Sequence, residues 1–187
     1  MNDTLRLFES YLTGDFDNAA QIAAERAAGA ALHPEARHVN RNLNGRIDHL
    51  PGDLEGFFVL EESWYTQNGR TNAMPHLFLF TLNGEGKVTL TSYEAPAGLP
   101  RDRFTNANPD LRLDYRTLKV SEKFTPLVYT LDGEGVFYGR CVSRFSADTT
   151  FTLEEWIGPE VLLVDERMEK AGRVLIGVPS PIEYRRI

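Results

Sequence analysis

The side chains able to do chemistry are few, and most fall on segments that read as strands. Glu61 and Glu62 stand side by side near the end of an apolar run, followed by Trp64 and Tyr65. Adjacent strand residues point to opposite faces, so only one of the two carboxylates can enter an interior. An inward Glu61 with Tyr65 beside it would act on a bound molecule as acid or base. The alternative is a strand-end carboxylate at a wet rim, where Glu is most at home. Asp165 lies in step with Val161 and Leu163, a carboxylate on an apolar face, or else it is a turn residue. We take Glu61 and Asp165 as the candidate catalytic pair.

Met74, His76, Phe78 and Phe80 alternate along one segment and would line a cavity wall, with His76 either a ligand contact or a satisfied core histidine. Tyr138 and Arg140 also share a face. Buried, they would suit a flat anionic ligand; exposed, they are ordinary surface. The lone cysteine, Cys141, reads as a small buried hydrophobe. The four histidines show no metal-ligand spacing, and the two Gly-x-Gly pairs, Gly84/Gly86 and Gly133/Gly135, sit in hairpin turns instead of strand-to-helix phosphate loops. No metal or cofactor is expected.

These side chains need elements to position them. Leu5, Phe8 and Leu12 recur at helical spacing, with Asp3 or Thr4 as the start and Gly14 as the stop. The alanine-rich stretch 18–28 predicts a second helix, giving a helical N-terminal segment over 1–32. From 38 to 187 the pattern is strands and turns. Strands are expected over 57–65, 74–82, 87–94, 126–131, 136–142, 149–156, 161–166, 173–178 and 182–186. Asn68-Gly69, 83–86, 132–135 and Gly172 supply the turns. The charged, proline-bearing stretch 96–124 is read as a long connection crossing the rim. About ten short strands with regular turns predict a mainly β fold, and closure removes the edges an open sheet would have to protect. The expected architecture is one domain, a calycin or lipocalin-like antiparallel barrel either filled by side chains or enclosing a small ligand.

The chain has 187 residues, 42% of them hydrophobic, and a net charge of -7. That length suffices for one well-filled core. The acidic balance argues against nucleic acid and anionic membrane as partners. The first residues lack the basic-then-apolar pattern of a secretory leader, and no apolar run is long enough to cross a bilayer. A cytoplasmic location is therefore expected.

In motif order the chain resembles the CpcT/CpeT family of phycobiliprotein chromophore (bilin) lyases, as a divergent member. The resemblance rests on Gly14-Asp15-Phe16-Asp17-Asn18 with Gln21 after it, and on Leu60-Glu61-Glu62 where the family has an aliphatic residue and Glu-Gln. Phe137-Tyr138-Gly139, Asp165 to Arg167, Gly172, Gly177 and Tyr184-Arg185-Arg186 match its C-terminal elements. It implies a barrel holding an open-chain tetrapyrrole for attachment to a cysteine of an acceptor protein, and a homodimer. It also implies that Asp165 would accept hydrogen bonds from pyrrole N–H groups. The family's Pro-Tyr-Arg-x-Arg motif reads Pro75-His76-Leu77-Phe78-Leu79 here, so both guanidinium partners for bilin propionates are replaced by leucine. That departure favours the alternative function, a non-catalytic binder of a small apolar or tetrapyrrole ligand. A third reading is a solid barrel serving as a protein-interaction module.

Overall fold

The structure, a computed structural model, describes residues 1–187. In chain order the elements are α1 (Asp3–Leu12), β1 (Gly14–Asp17), α2 (Ala19–Ala27), β2 (Glu35–Asn42), β3 (Ile47–Asp48), β4 (Gly56–Gln67) and β5 (Arg70–Leu82). There follow β6 (Val88–Tyr93), β7 (Leu113–Asp114), β8 (Leu127–Leu131), β9 (Phe137–Arg144), β10 (Thr149–Ile157), β11 (Val161–Lys170), β12 (Arg173–Ile176) and β13 (Ile182–Arg186). Ten strands form one closed antiparallel ring in the order β10-β9-β8-β6-β5-β4-β2-β1-β13-β11, sealed by the long pairing of β10 with β11 from Thr149↔Lys170 to Ile157↔Leu162. β12 pairs only with β11, as the end of a hairpin that extends past the ring. The calycin-like barrel is thus present, and no helix is long and apolar enough to cross a membrane.

Turn chemistry sets the register. Asn83 Oδ1 accepts from the backbone N–H groups of Glu85 and Lys87, and Asp132 Oδ1 accepts in the same way from Glu134 and Val136. The following glycines, Gly86 and Gly135, take φ of 74° and 83°, a conformation that a Cβ would strain.

One end of the ring is closed by α1. Its cap is Asn2, whose side chain accepts from Thr4 N at 2.8 Å, one residue earlier than the expected Asp3 or Thr4. Leu5, Phe8 and Leu12 form its buried stripe. Phe8 meets Phe80, Tyr129 and Phe137 with ring centroids 5.1, 4.8 and 5.0 Å away. Arg186, on the last strand, donates to the carbonyls of Ser10, Tyr11 and Thr13, satisfying the acceptors left open at the C-terminus of α1. Gly14 sits beneath that guanidinium at φ 150°, a backbone angle that strains a side chain, and a Cβ there would also have to displace Arg186 Nη1, 2.1 Å away.

Two boundaries differ from the sequence expectation. The N-terminal 1–32 segment is not wholly helical: β1 lies between its helices and completes the ring by pairing β2 and β13. A four-residue strand is too short to show alternation, and only Phe16 of it is buried. The barrel therefore uses residues before 38. The 96–124 connection, moreover, does not cross the rim. It lies against the outer wall, where Phe104, Leu111 and Leu113 pack on Phe58, Leu60, Leu77 and Leu79. Asn106 fastens it, donating to the carbonyls of Val39 and Leu60, while its own N–H donates to Glu62.

Candidate functional site

The ring register decides which polar residues face inward. Glu61 of β4 pairs with His76 of β5 and Asn40 of β2; Ser63 pairs with Met74 and His38. On the opposite wall Glu155 of β10 pairs with Gly139 and Val164, and Glu166 of β11 pairs with Leu153. All lie in step with inward core residues such as Phe57, Val59, Leu162 and Val164. The lumen is consequently layered. The floor beside α1 is apolar and fully buried. Above it runs a polar band of His38, Glu61, Tyr65, Tyr129, Glu155, Glu166 and Tyr184. Towards the mouth the inward side chains Met74, Cys141, Phe151, Leu153 and Met168 are only partly buried, so solvent reaches the upper cup; Phe78, opposite Val59, lies on the floor side of Glu61.

Hydrogen bonds tie the band together across strands. The Tyr129 hydroxyl donates to Glu155, the Tyr65 hydroxyl donates to Glu166 at 3.3 Å, and Ser63 Oγ donates to Glu61 at 3.2 Å. Gly139 makes room for Tyr129, since a Cβ at 139 would stand 2.9 Å from its ring. His38 Nδ1 lies 3.9 Å from Glu61 Oε2, and the His38 ring packs against Tyr184 at 4.1 Å. His38 Nε2 is buried with no partner, and the buried Tyr184 hydroxyl lies beside that of Tyr65, which donates to Glu166 instead.

Burial governs the protonation states. It pushes Glu61 up to about 8, with Glu155 and Glu166 adding like-charge repulsion. It pushes Glu155 up to about 7 against the opposing pull of the Tyr129 hydrogen bond, and it raises Glu166 against that of Tyr65. His38 is driven down to about 3, first by burial and then by His76, so its ring is neutral. The same burial lowers His76 and raises the Cys141 thiol. At neutral pH the band therefore holds carboxylic acids able to donate a hydrogen bond or a proton, beside a neutral imidazole. No Lys or Arg of the strands points inward at this level; Arg70 and Lys170 stand only at the rim, where the strands end, and Arg101, which donates to the carbonyl of Ala73, adds its charge to the lowering of His76.

No protein-family model, curated protein or solved structure matches this chain. Its site is consequently argued from its own geometry.

Of the residues expected from sequence, the structure brings Glu61, Tyr65, Met74, His76 and Phe78 together in the lumen. Phe80 faces inward too, but it belongs to the floor, packed on Phe8 and Phe57 and fully buried, so it is corrected from ligand wall to core. Asp165, Tyr138 and Arg140 are corrected in placement. The inward face of β11 belongs to Leu162, Val164 and Glu166, which turns Val161, Leu163 and Asp165 outward. Tyr138 donates to Glu154 at 2.6 Å and stacks on Trp156, and Arg140 lies 3.7 Å from Glu154, all on the outer wall. Sequence reasoning missed His38, Tyr129, Glu155, Glu166 and Tyr184. A signal for two of them was present: Leu153-x-Glu155-x-Ile157 and Leu162-x-Val164-x-Glu166-x-Met168 are apolar alternations each interrupted by one carboxylate.

A separate surface cleft of about 430 Å³ lies beside the C-terminus of α1, lined by Thr13, Asp15, Arg41 and Arg186 among others. Its arginines are already engaged, Arg41 with Asp15 and Arg186 with the α1 carbonyls, so it offers no free charge.

Proposed function

We propose that the chain is a calycin-type binding protein that takes a small, largely apolar molecule into the cup and meets its N–H groups with the carboxyl oxygens of Glu61, Glu155 and Glu166. The observation that carries this reading is a buried carboxyl band facing a partly open, apolar upper lumen, with no Lys or Arg offsetting its carboxyls. Buried polar groups are retained at such cost where a ligand or water completes them. The test is titration of the purified chain with Nile red, a neutral apolar dye. Saturable uptake near one dye per chain, weakened by filling the lumen with Ser63→Trp, is expected. Unsaturable uptake, or uptake indifferent to Ser63→Trp, would overturn the reading.

A second, finer reading adds an open-chain tetrapyrrole as the ligand and an acceptor cysteine as its destination. Two things support it: the motif resemblance to the CpcT/CpeT lyases, and Glu61 held as an acid near neutral pH. In that role the thiolate of the acceptor protein adds to the bilin vinylidene carbon, and Glu61 supplies the proton that the bilin gains. Biliverdin should then show a shifted visible band in the presence of the protein. An open-chain bilin with the vinylidene group should leave a coloured, denaturation-resistant adduct on an acceptor thiol, lost in Glu61→Gln. Absence of the shift and the adduct would leave the chain a binder of other apolar molecules.

A further inference from the structure

We propose that the polar band is a site for a cationic nitrogen, an ammonium or amidinium carried by an otherwise apolar ligand, seated among Glu61, Glu155 and Glu166. The proposal rests on the reading of the lumen as a binding cup and names the charge of what enters it.

The carboxyl groups come from both sides of the cup, Glu61 from β4 and the other two from successive inward steps of the β10–β11 pair, close enough that Glu155 and Glu166 both raise Glu61 by like charge. Two are held in place by tyrosine hydroxyls from other strands. Such a cluster is normally offset by a nearby Lys or Arg. No Lys or Arg acts on any of the three; the nearest influence is Arg101, whose charge reaches His76 while its guanidinium donates to the carbonyl of Ala73. A second, independent observation marks the same place as unfinished. His38, 3% exposed, and Tyr184, fully buried, lie against each other with ring centroids 4.1 Å apart; His38 Nε2 has no partner, and the Tyr184 hydroxyl has beside it only that of Tyr65, which donates to Glu166. A neutral imidazole nitrogen and a phenol oxygen can each accept from an N–H donor. The rings of Tyr65 and Tyr184 add aromatic faces, which attract cations.

The walls above the band set the rest of the ligand. Met74, Leu153 and Met168 are apolar and partly exposed, suited to an alkyl or aryl body. From Glu61 to the rim at Gln67 the strand rises about 15 Å along the barrel axis, allowing for tilt. A free carboxylate at the band would meet like charge and is selected against.

Charge balance gives the site a proton linkage. The groups facing the band are Glu61 and Tyr65 of β4, His38 of β2, His76 of β5, Tyr129 of β8, Cys141 of β9, Glu155 of β10, Glu166 of β11 and Tyr184 of β13, and two more act on it from outside the lumen: Arg101 on His76 and Asp165 on Glu166. Burial favours the neutral form of the acids and of both histidines in the empty cup. An entering cation pairs best with a carboxylate, so binding releases a proton from the band. Affinity should therefore rise with pH until the amine itself loses its charge near the ordinary lysine range, about 10.

The experiment uses the full chain loaded with Nile red and displaced by decylamine, decanol and decanoate, compounds sharing one alkyl body. At pH 8 decylamine should displace the dye about tenfold or more tightly than decanol, the scale of one charge-assisted contact, with decanoate weaker than decanol. Decylamine affinity should rise between pH 6 and pH 8 by about a further factor of three or more, while decanol stays level. In the double variant Glu61→Gln, Glu155→Gln the amine-to-alcohol ratio should fall towards unity with decanol binding retained, which shows an intact cup. Equal binding of amine and alcohol, preference for decanoate, or a ratio unmoved by the double variant would overturn the cation site while leaving the cup as a binder. Failure of all three compounds and the dye to bind would overturn the cup itself.

Discussion

Replacing Glu61 by Gln should make the protein more stable in mild alkali and leave it nearly unchanged in mild acid. Glu61 ionises near 4.5 when unfolded and is pushed up to about 8 in the barrel. A group whose folded value is raised contributes full stability below its unfolded value. That contribution drains as pH climbs from 4.5 towards 8, because the unfolded chain has given up a proton that the barrel retains. Complete expression of this shift would amount to about 5 kcal/mol. Glu61 keeps 14% of its side chain in contact with solvent, and water in the upper cup relieves part of the penalty. The expected gain for Glu61→Gln is then about 2–4 kcal/mol at pH 8.5, a large share of the roughly 5–15 kcal/mol that holds a domain together. Glutamine keeps the shape and an oxygen to accept from Ser63, so at pH 5 the two proteins should agree within about 1 kcal/mol. Urea unfolding at both pH values measures this directly. With a slope of about 2 kcal/mol per molar, the midpoint should move up by about 1–2 M at pH 8.5. A Gln variant no more stable than the parent at pH 8.5, or a difference independent of pH, would refute the placement of a buried, proton-holding carboxyl at position 61.

Phe8→Ala should cost about 3–5 kcal/mol in urea unfolding, because it empties the aromatic nest made with Phe80, Tyr129 and Phe137 and loosens the barrel floor. Gly139→Ala should lower stability by about 1–3 kcal/mol, since its Cβ would press on the rings and chains of Tyr129 and Leu127, both fully buried; thermal unfolding reads it. Cys141 should react slowly with a thiol reagent at pH 8, because burial and then Glu155 hold its thiol above the usual range, and lumen ligands such as decanol should slow it further; mass spectrometry of the labelled chain follows both.

The barrel was legible in the sequence because turns carry their own chemistry. Asn68-Gly69 and the paired turns at 83–86 and 132–135 fix hairpins wherever they occur, and alternating residues between them identify strands. The site was only half legible, and the reason is face assignment. On β4 both faces are apolar: Phe57 and Val59 fill the lumen, while Phe58 and Leu60 are covered by the 96–124 connection. Alternation then carries no sign. On β11 the outward Val161 and Leu163 look as apolar as the inward Leu162 and Val164, so Asp165 was read into the lumen in place of its neighbour Glu166. A one-residue change of parity exchanges every side chain between cup and outer wall. β1 and β2 gave even less, because their inward residues include Ala36, His38 and Asn40, whose burial depends on partners far away in sequence.

The layering of the lumen also bears on why a polar band persists there. Floor and outer wall are made of large apolar side chains, and stability alone would favour continuing them upward through positions 61, 155 and 166. Each carboxyl at those positions instead lowers stability as pH rises, and each is braced by a hydroxyl from Ser63, Tyr65 or Tyr129 that holds its orientation. Several oriented acids kept at that cost beneath a partly open apolar mouth support the proposed reading of the lumen as a binding site. Substituting all three carboxyls by glutamine should therefore raise stability at alkaline pH while abolishing preference among ligands of different charge. A triple variant that lost stability at alkaline pH, or retained that preference, would show the acids to be structural.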